Sequence, residues 1–436
     1  MTMQALMACA LTNMRNTHLI VSIFRGILMA GLPAALLMGT LPPALNALPA
    51  QGVTPINNRD YAPAVAKLIN TARKNISIML YQARYYPEHP DSITNMFVAD
   101  LIRARQRGVE VRVIVDTGEW NPGGAKNQYN TDFVDRLTTA GVQIWEDNPG
   151  DVSHQKVIMA DDVVTVVSSH NWLHYSLTSN NEVAAVVYSP EVNAWFRRYF
   201  DNRCAEGHPR ANAQPATAAT TETAEIPAMA AFASTAETSA VELGLTCQPV
   251  VAVEPLANRR FYPAVHDAFL SASKNIDVVE RSIDIYDTPP MRGKRALLPG
   301  EPLSETNVLV DDLVSARQRG VNVRVVMDKS DIFDNSKNSK TAEYLQERGV
   351  PVYEDDPKVQ THAKLLILDD DKTILGSTNW TYPAIELGNE ASILIISRDI
   401  NKVYRDYVEG ILRSGRSFTP ETKSIWENSK GPTDTE

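Results

Sequence analysis

The sequence predicts an α/β fold laid down twice along one chain, and three observations support this. Of 436 residues 44% are hydrophobic, enough for sizeable cores, and the length suits two or three domains. Segments with helical patterning alternate with short apolar strands, as expected for a sheet covered by helices. The chain also repeats itself. Asn58-Arg59 and Lys74-Asn75-Ile76 return as Asn258-Arg259 and Lys274-Asn275-Ile276, and ARQRGVEVRV at 104–113 returns as ARQRGVNVRV at 316–325. The copies span roughly 52–204 and 250–415.

Taken in order, residues 1–50 read as a leader. Arg15 and Arg25 precede an apolar stretch from Gly26 to Leu41, and the first acidic residue is Asp60. This is the pattern of a secretory signal, with Met14 as an alternative start and Ala47 or Ala50 as the cleavage point, so the protein is expected to be exported to the periplasm or beyond. An uncleaved membrane anchor is the alternative, although Pro33, Pro42 and Pro43 interrupt the run, which is short for a span of about 20 residues.

In the first copy, residues 60–74 predict a helix, 76–81 a strand, 95–107 a helix stopped by Gly108, 109–116 a strand, 131–140 a helix and 142–145 a strand. VVTVVSS and EVAAVVY add strands. A helix then opens at Ser189-Pro190-Glu191, where a Ser cap and an acidic first turn suit the helix dipole. The second copy opens its last helix likewise, at Ser397-Arg398-Asp399.

Between the copies, residues 205–246 are rich in Ala, Thr, Glu and Pro with a single aromatic, a composition that predicts a disordered linker. Cys204 and Cys247 bracket it. In an oxidising compartment they are expected to form a disulfide contributing about 4 kcal/mol in the chain-entropy account. Residues 416–436 read as a polar tail. With 52 acidic against 42 basic residues the chain has no global attraction for a polyanion, and nucleic-acid binding would need a local basic groove.

The chemistry lies in a repeated motif, SHQKVIMADD at 153–162 and THAKLLILDD at 361–370. Its extension keeps step. His154, Lys156, Asp161, Ser168, Ser169, Asn171 and Glu182 correspond, at one constant offset, to His362, Lys364, Asp369, Gly376, Ser377, Asn379 and Glu390. On a strand, positions i and i+2 share a face, so each His projects with its Lys. Cleaving a phosphodiester requires cations and neutral donors around the nonbridging oxygens, which Lys156, Lys364, Asn171 and Asn379 would supply. One imidazole can attack phosphorus while a second protonates the leaving oxygen.

These residues resemble the phospholipase D superfamily signature, H-x-K-x4-D followed by G-S-x-N. The second copy matches throughout (HAKLLILD, GSTN), whereas the first has Ser168 in place of Gly (SSHN), a Cβ that would crowd the turn or narrow a phosphate pocket. The resemblance implies two α/β/α sandwich domains with mixed, mostly parallel sheets, related by a pseudo-twofold axis that brings both motifs into one cleft. It implies a covalent phosphohistidine, with His154 as nucleophile and His362 as general acid. Glu182 and Glu390 would bind the far imidazole nitrogens, while Asp161, Asp369, Ser169 and Ser377 would support the motif loops. No metal or other cofactor is expected.

The expected activity is hydrolysis of phospholipid headgroup esters by a monomer touching membranes transiently. Nucleic-acid cleavage and phosphatidyl transfer of the cardiolipin-synthase kind are the alternatives. Loops at 116–130 and 285–305, where the copies diverge, are the expected seats of selectivity, and Arg292, Lys294 and Arg295 with Met291, Leu297 and Leu298 suit a lipid headgroup interface.

Overall fold

Each copy builds one eight-stranded sheet. The computed structural model describes residues 47–118, 128–210, 243–288, 302–329 and 336–419. The first sheet contains β1 (Gly52–Pro55), β2 (Asn75–Leu80), β3 (Glu110–Val115), β4 (Gln143–Glu146), β5 (Lys156–Ala160), β6 (Val164–Ser168), β7 (Ala184–Tyr188) and β8 (His208–Pro209), in the order β1-β7-β6-β5-β2-β3-β4-β8. The second contains β9 (Ala252–Ala257), β10 (Asn275–Glu280), β11 (Asn322–Met327), β12 (Val352–Glu354), β13 (Lys364–Leu368), β14 (Lys372–Gly376), β15 (Ala391–Ile396) and β16 (Arg416–Ser417). Its order is β16-β12-β11-β10-β13-β14-β15-β9, the same topology.

The sheets are mixed, but the expectation that they are mostly parallel is corrected. Only β2–β3 and β3–β4, with β10–β11 and β11–β12 in the second copy, pair in parallel. The motif strands β5, β6 and β7 run antiparallel. The physical reason is the short link between β5 and β6, since a tight turn can join only antiparallel neighbours. Asp161 and Asp162 make that turn at φ 53° and 65°, a left-handed conformation that Asp tolerates.

Helices α1 (Tyr61–Thr71), α2 (Ile93–Gln106) and α3 (Thr131–Thr139) cover the outer face of the first sheet, where Val65, Leu68, Phe97, Leu101 and Phe133 pack on Ile76, Ile78, Val111 and Val113. A short helix, α4 (His174–Thr178), follows the motif. Helix α5 (Pro190–Glu206) lies on the inner face. In the second copy α6 (Phe261–Ser271), α7 (Glu305–Gln318) and α8 (Ser336–Glu347) precede α9 (Arg398–Ser414). The Ser caps form as expected, with the Ser189 and Ser397 side chains accepting from the backbone N–H of Val192 and Ile400.

Between the two sheets lies a third core drawn from both copies. Met79, Val157, Met159, Phe196 and Phe200 meet Val279, Leu365, Ile367, Tyr404 and Val408 there. Strands with apolar residues on both faces are needed for this, because one face packs on the copy's own helices and the other on the partner sheet. The chain also crosses between copies ahead of each sheet. Leu48 exchanges backbone hydrogen bonds with Val253, and Val53 with Gln248. Ser189 and Ser397 donate to the carbonyls of Pro49 and Pro249.

Three boundaries differ from expectation. Residues 205–210 belong to the fold, since α5 runs through Glu206 and β8 pairs with β4. Leu243 is buried in the first core, so the linker is narrower at both ends than 205–246, and residues 211–242 lie outside the described residues. The start of the polar tail is also ordered, with β16 paired to β12 and Phe418 buried. The Cys204–Cys247 disulfide is not formed, and both thiols are free. Cys204 packs on the inter-sheet core and Cys247 on the outer core of the first sheet, so the two sit against opposite faces. The leader, the divergent segments 119–127 and 289–301, and residues 420–436 fall outside the described residues. Among the described residues no helix is long and apolar enough to cross a membrane.

Candidate active site

The two motifs meet where the copies face each other. Lys156 opens β5 and Lys364 opens β13, while His154 and His362 sit just before these strands rather than on them. Their backbones are pinned across the pseudo-twofold. The His154 N–H donates to the Asn389 carbonyl and the His362 N–H to that of Asn181, both at 2.8 Å. The imidazole rings lie 6.5 Å apart, centroid to centroid.

Each histidine is oriented by the carboxylate of the other copy. His154 Nδ1 lies 3.1 Å from both oxygens of Glu390 and 3.0 Å from the Ser377 carbonyl oxygen. A carbonyl only accepts, so Nδ1 carries the proton and Nε2 presents its lone pair. His362 Nδ1 lies 3.0 Å from Glu182 Oε2. Burial opposes the ionisation of Glu182, but the adjoining His362, with His170 and Lys364, holds its carboxyl well below the usual range. Burial also lowers both imidazoles, His154 to about 4 and His362 well below its usual value, against the pull of their carboxylates. Both rings are therefore neutral at neutral pH before any phosphate charge arrives.

Ser169 donates to Glu182 at 2.5 Å, and Ser377 donates to Glu390. The two carboxylates are not equally shared. Glu182 also accepts from Ser176 at 2.6 Å and from Asn180 at 3.5 Å, where the second copy has Ala384 and Gly388. Lys156 and Lys364 are 1% and 3% exposed and donate back to the carbonyls of His154 and His362. Burial lowers both lysines, Lys364 to about 8. Asn171 and Asn379 follow in the loops that carry Ser169 and Ser377, and each keeps a buried side-chain oxygen with no partner among the described residues. A site that takes a polar ligand leaves such groups open.

Asp161 and Asp369 stand at the far ends of β5 and β13. Asp161 accepts from the N–H groups of Arg73, Lys74 and Asn75, and Asp369 from those of Ser273, Lys274 and Asn275, which anchors the entry to β2 and β10. Ser168 is accommodated by its neighbours. Its hydroxyl accepts from the His170 N–H, and Ala184 faces it across the sheet, whereas Gly376 faces Ser392.

The comparisons with known proteins agree with this geometry. The family described as "Cardiolipin synthase, PLD-like domain" matches residues 65–204 and 300–412. This chain belongs to the phospholipase D superfamily. It is 35% identical over 98 residues to "Phospholipase D" of Rickettsia prowazekii (strain Madrid E), a match covering 22% of this chain and 46% of that relative, slightly under half its length. It is 23% identical over 405 residues to "Cardiolipin synthase B" of Shigella flexneri, covering 85% of this chain and 83% of that one. Among solved structures, the phosphatidylserine synthase of Haemophilus influenzae Rd KW20 shares the fold with a TM-score of 0.61 at 13% identity, over 86% of this chain and 89% of that one.

In this superfamily member, several residues that support the site had no role assigned from sequence. Asn58 and Asn258 adopt φ 52° and 53°, and their side-chain oxygens accept from the N–H of Glu182 and Glu390. Their exact repetition was a usable signal. Tyr407 donates to the Glu182 carbonyl from the other copy, and Tyr199 to that of Glu390. Tyr199 and Tyr407 repeat at the same offset as the motif residues, which was a usable signal too, but nothing local shows that they act across an interface.

Proposed function

We propose that this protein is a phosphodiesterase of phospholipase D type that cleaves the headgroup ester of phospholipids through a covalent phosphohistidine. The observation that carries this reading is the pair of facing imidazoles, each clamped at Nδ1 by the other copy's carboxylate. Nε2 of one ring attacks phosphorus as the bond to the leaving oxygen breaks. The other ring takes up a proton from solvent at Nε2 when the anionic phosphate binds beside it, and as an imidazolium gives that proton to the leaving oxygen. The second ring then accepts a proton from water, whose oxygen displaces the first imidazole. Lys156, Lys364, Asn171 and Asn379 hold the nonbridging oxygens.

Unequal sharing of the carboxylates supports His154 as nucleophile and His362 as acid. Ser176 and Asn180 draw on Glu182, so it stabilises the His362 imidazolium less, and that ring releases its proton more readily. Among the described residues Glu390 accepts from no such additional donors, which leaves His154 the more basic ring. A second reading, phosphatidyl transfer, differs only in that an alcohol replaces water in the second step. Similarity over both copies to a protein named cardiolipin synthase favours it. Both readings take a single chain as the working unit, touching the membrane transiently after export. Leu48 belongs to the fold, so signal removal would follow Ala47 rather than Ala50.

The test sets phosphatidylglycerol vesicles, with and without added ethanol, beside single-stranded DNA. Release of phosphatidic acid supports hydrolysis, a new phosphatidyl alcohol supports transfer, and DNA cleavage without lipid product overturns both. His154→Ala and His362→Ala should each lose at least about 10³-fold in turnover, and the double variant little more. With a nitrophenyl leaving group, which needs no protonation, His362→Ala should still accumulate phosphate on His154. Label trapped on His362 in His154→Ala would reverse the roles.

A further inference from the structure

The two lysines of the cleft have different neighbours. In the first sheet Leu80 stands opposite Lys156. The Lys156 ammonium lies over the Tyr81 ring at 4.9 Å, and that ring also meets His154 edge-on at 4.8 Å. In the second sheet the corresponding pair is Glu280-Arg281, with Glu280 opposite Lys364. Glu280 is 1% exposed, and its Oε2 is buried with no hydrogen-bond partner among the described residues. A buried carboxyl left short of a partner costs about 1–3 kcal/mol. Leu80 shows that this sheet position accepts an apolar side chain, so packing does not require an acid there.

We propose that Glu280 is a positioning residue for Lys364. Its carboxylate, set beside Lys364 at the end of β10, keeps that lysine in its cationic, phosphate-binding form and makes the two lysines of the cleft inequivalent. This inference rests on the phosphodiesterase reading and adds to it a residue outside the repeated motif. Burial is the largest influence on Lys364 and lowers it, and Glu280 is the largest opposing one. Burial likewise pushes the Glu280 carboxyl well above its usual range, Glu390 adds to this and Lys364 pulls against it, so the two groups ionise as one buried pair and Lys364 is held cationic where Glu280 carries its charge. Arg281 also lowers Lys364, Glu182 and Glu390 raise it, and His154, His362 and Lys156 each sense its charge. On the other flank of Glu280, beyond Met327, the Asp328–Asp355 pair titrates in the same range, with burial and Asp328 pushing Asp355 up to about 8. A pH profile of the wild type alone therefore does not isolate Lys364, whereas a comparison of variants does.

The experiment uses Glu280→Gln, which keeps the shape, and Glu280→Leu, which installs the residue of the first copy. For each, kcat/KM on phospholipid vesicles and the calorimetric affinity for inorganic phosphate are followed from about pH 6 to about pH 9. Both variants should lose activity and phosphate affinity at lower pH than the wild type, the alkaline limb moving by on the order of one unit. In a Lys364→Arg background, where the side chain keeps its charge throughout, the same Glu280 substitutions should leave the phosphate-affinity limb in place. An even loss at every pH, an unmoved limb, or an equal shift in the Lys364→Arg background would overturn the proposal. Absence of turnover in the wild type on any phosphodiester would instead refute the functional reading, and the phosphate-affinity profiles would still decide the role of Glu280.

Discussion

Behind each motif histidine lies a second acidic device. Asp116 accepts from the N–H of Ser153, the residue before His154, and Asp147 accepts from that of Thr117; Asp328 and Asp355 repeat the arrangement at Thr361 and Lys329. Burial, with Asp116 nearby, pushes Asp147 from 3.8 up to about 7. The folded protein thus holds a proton that the unfolded chain has already lost. Stability from this group is complete below pH 3.8 and is lost as pH rises to about 7. Asn keeps the acceptor for Thr117 but does not titrate. Asp147→Asn should therefore gain on the wild type across that window, by at most about 4 kcal/mol at pH 8 relative to pH 4. Denaturation midpoints measured across the range would show this, and parallel curves for the two proteins would refute it.

At the scale of elements, the Ser168 departure is resolved by its neighbour on the next strand. Ser168 faces Ala184, Gly376 faces Ser392, and a Cβ at Gly376 would overlap the Ala391 carbonyl and Ser392. The hydroxyl is moved from one strand to the other while the packed volume is kept. Gly376→Ser should destabilise by about 1–3 kcal/mol, and adding Ser392→Ala should recover part of that loss. Strictly additive thermal shifts would show that the two positions do not share the space. The Ala184–Ser392 exchange was visible in the sequence, but its meaning depended on knowing that these strands are neighbours. The strands and helices themselves were legible because their apolar period and caps are local. Strand direction was legible only at the short link from β5 to β6, because the longer link from β6 to β7 allows either direction.

For the whole molecule, the inter-sheet core and the crossing segments at Leu48–Val53 and Gln248–Val253 make the two copies interdependent. A fully buried Val, Leu or Phe is worth about 1.5–3 kcal/mol, and neither copy covers its inner face alone. Chains 47–210 and 243–419 should each aggregate when produced separately, and should form an active complex when produced together. Either half active alone would refute a shared site, since each histidine takes its carboxylate from the opposite copy. Repeat, motif and superfamily were determined by the sequence by itself, because spacing along a strand dictates which side chains project together. The tertiary structure decided the cross-pairing of His154 with Glu390 and His362 with Glu182, the free cysteines, and the isolation of Glu280 beside Lys364. These depend on which surfaces two similar halves bury against each other, and no stretch of either half records that choice.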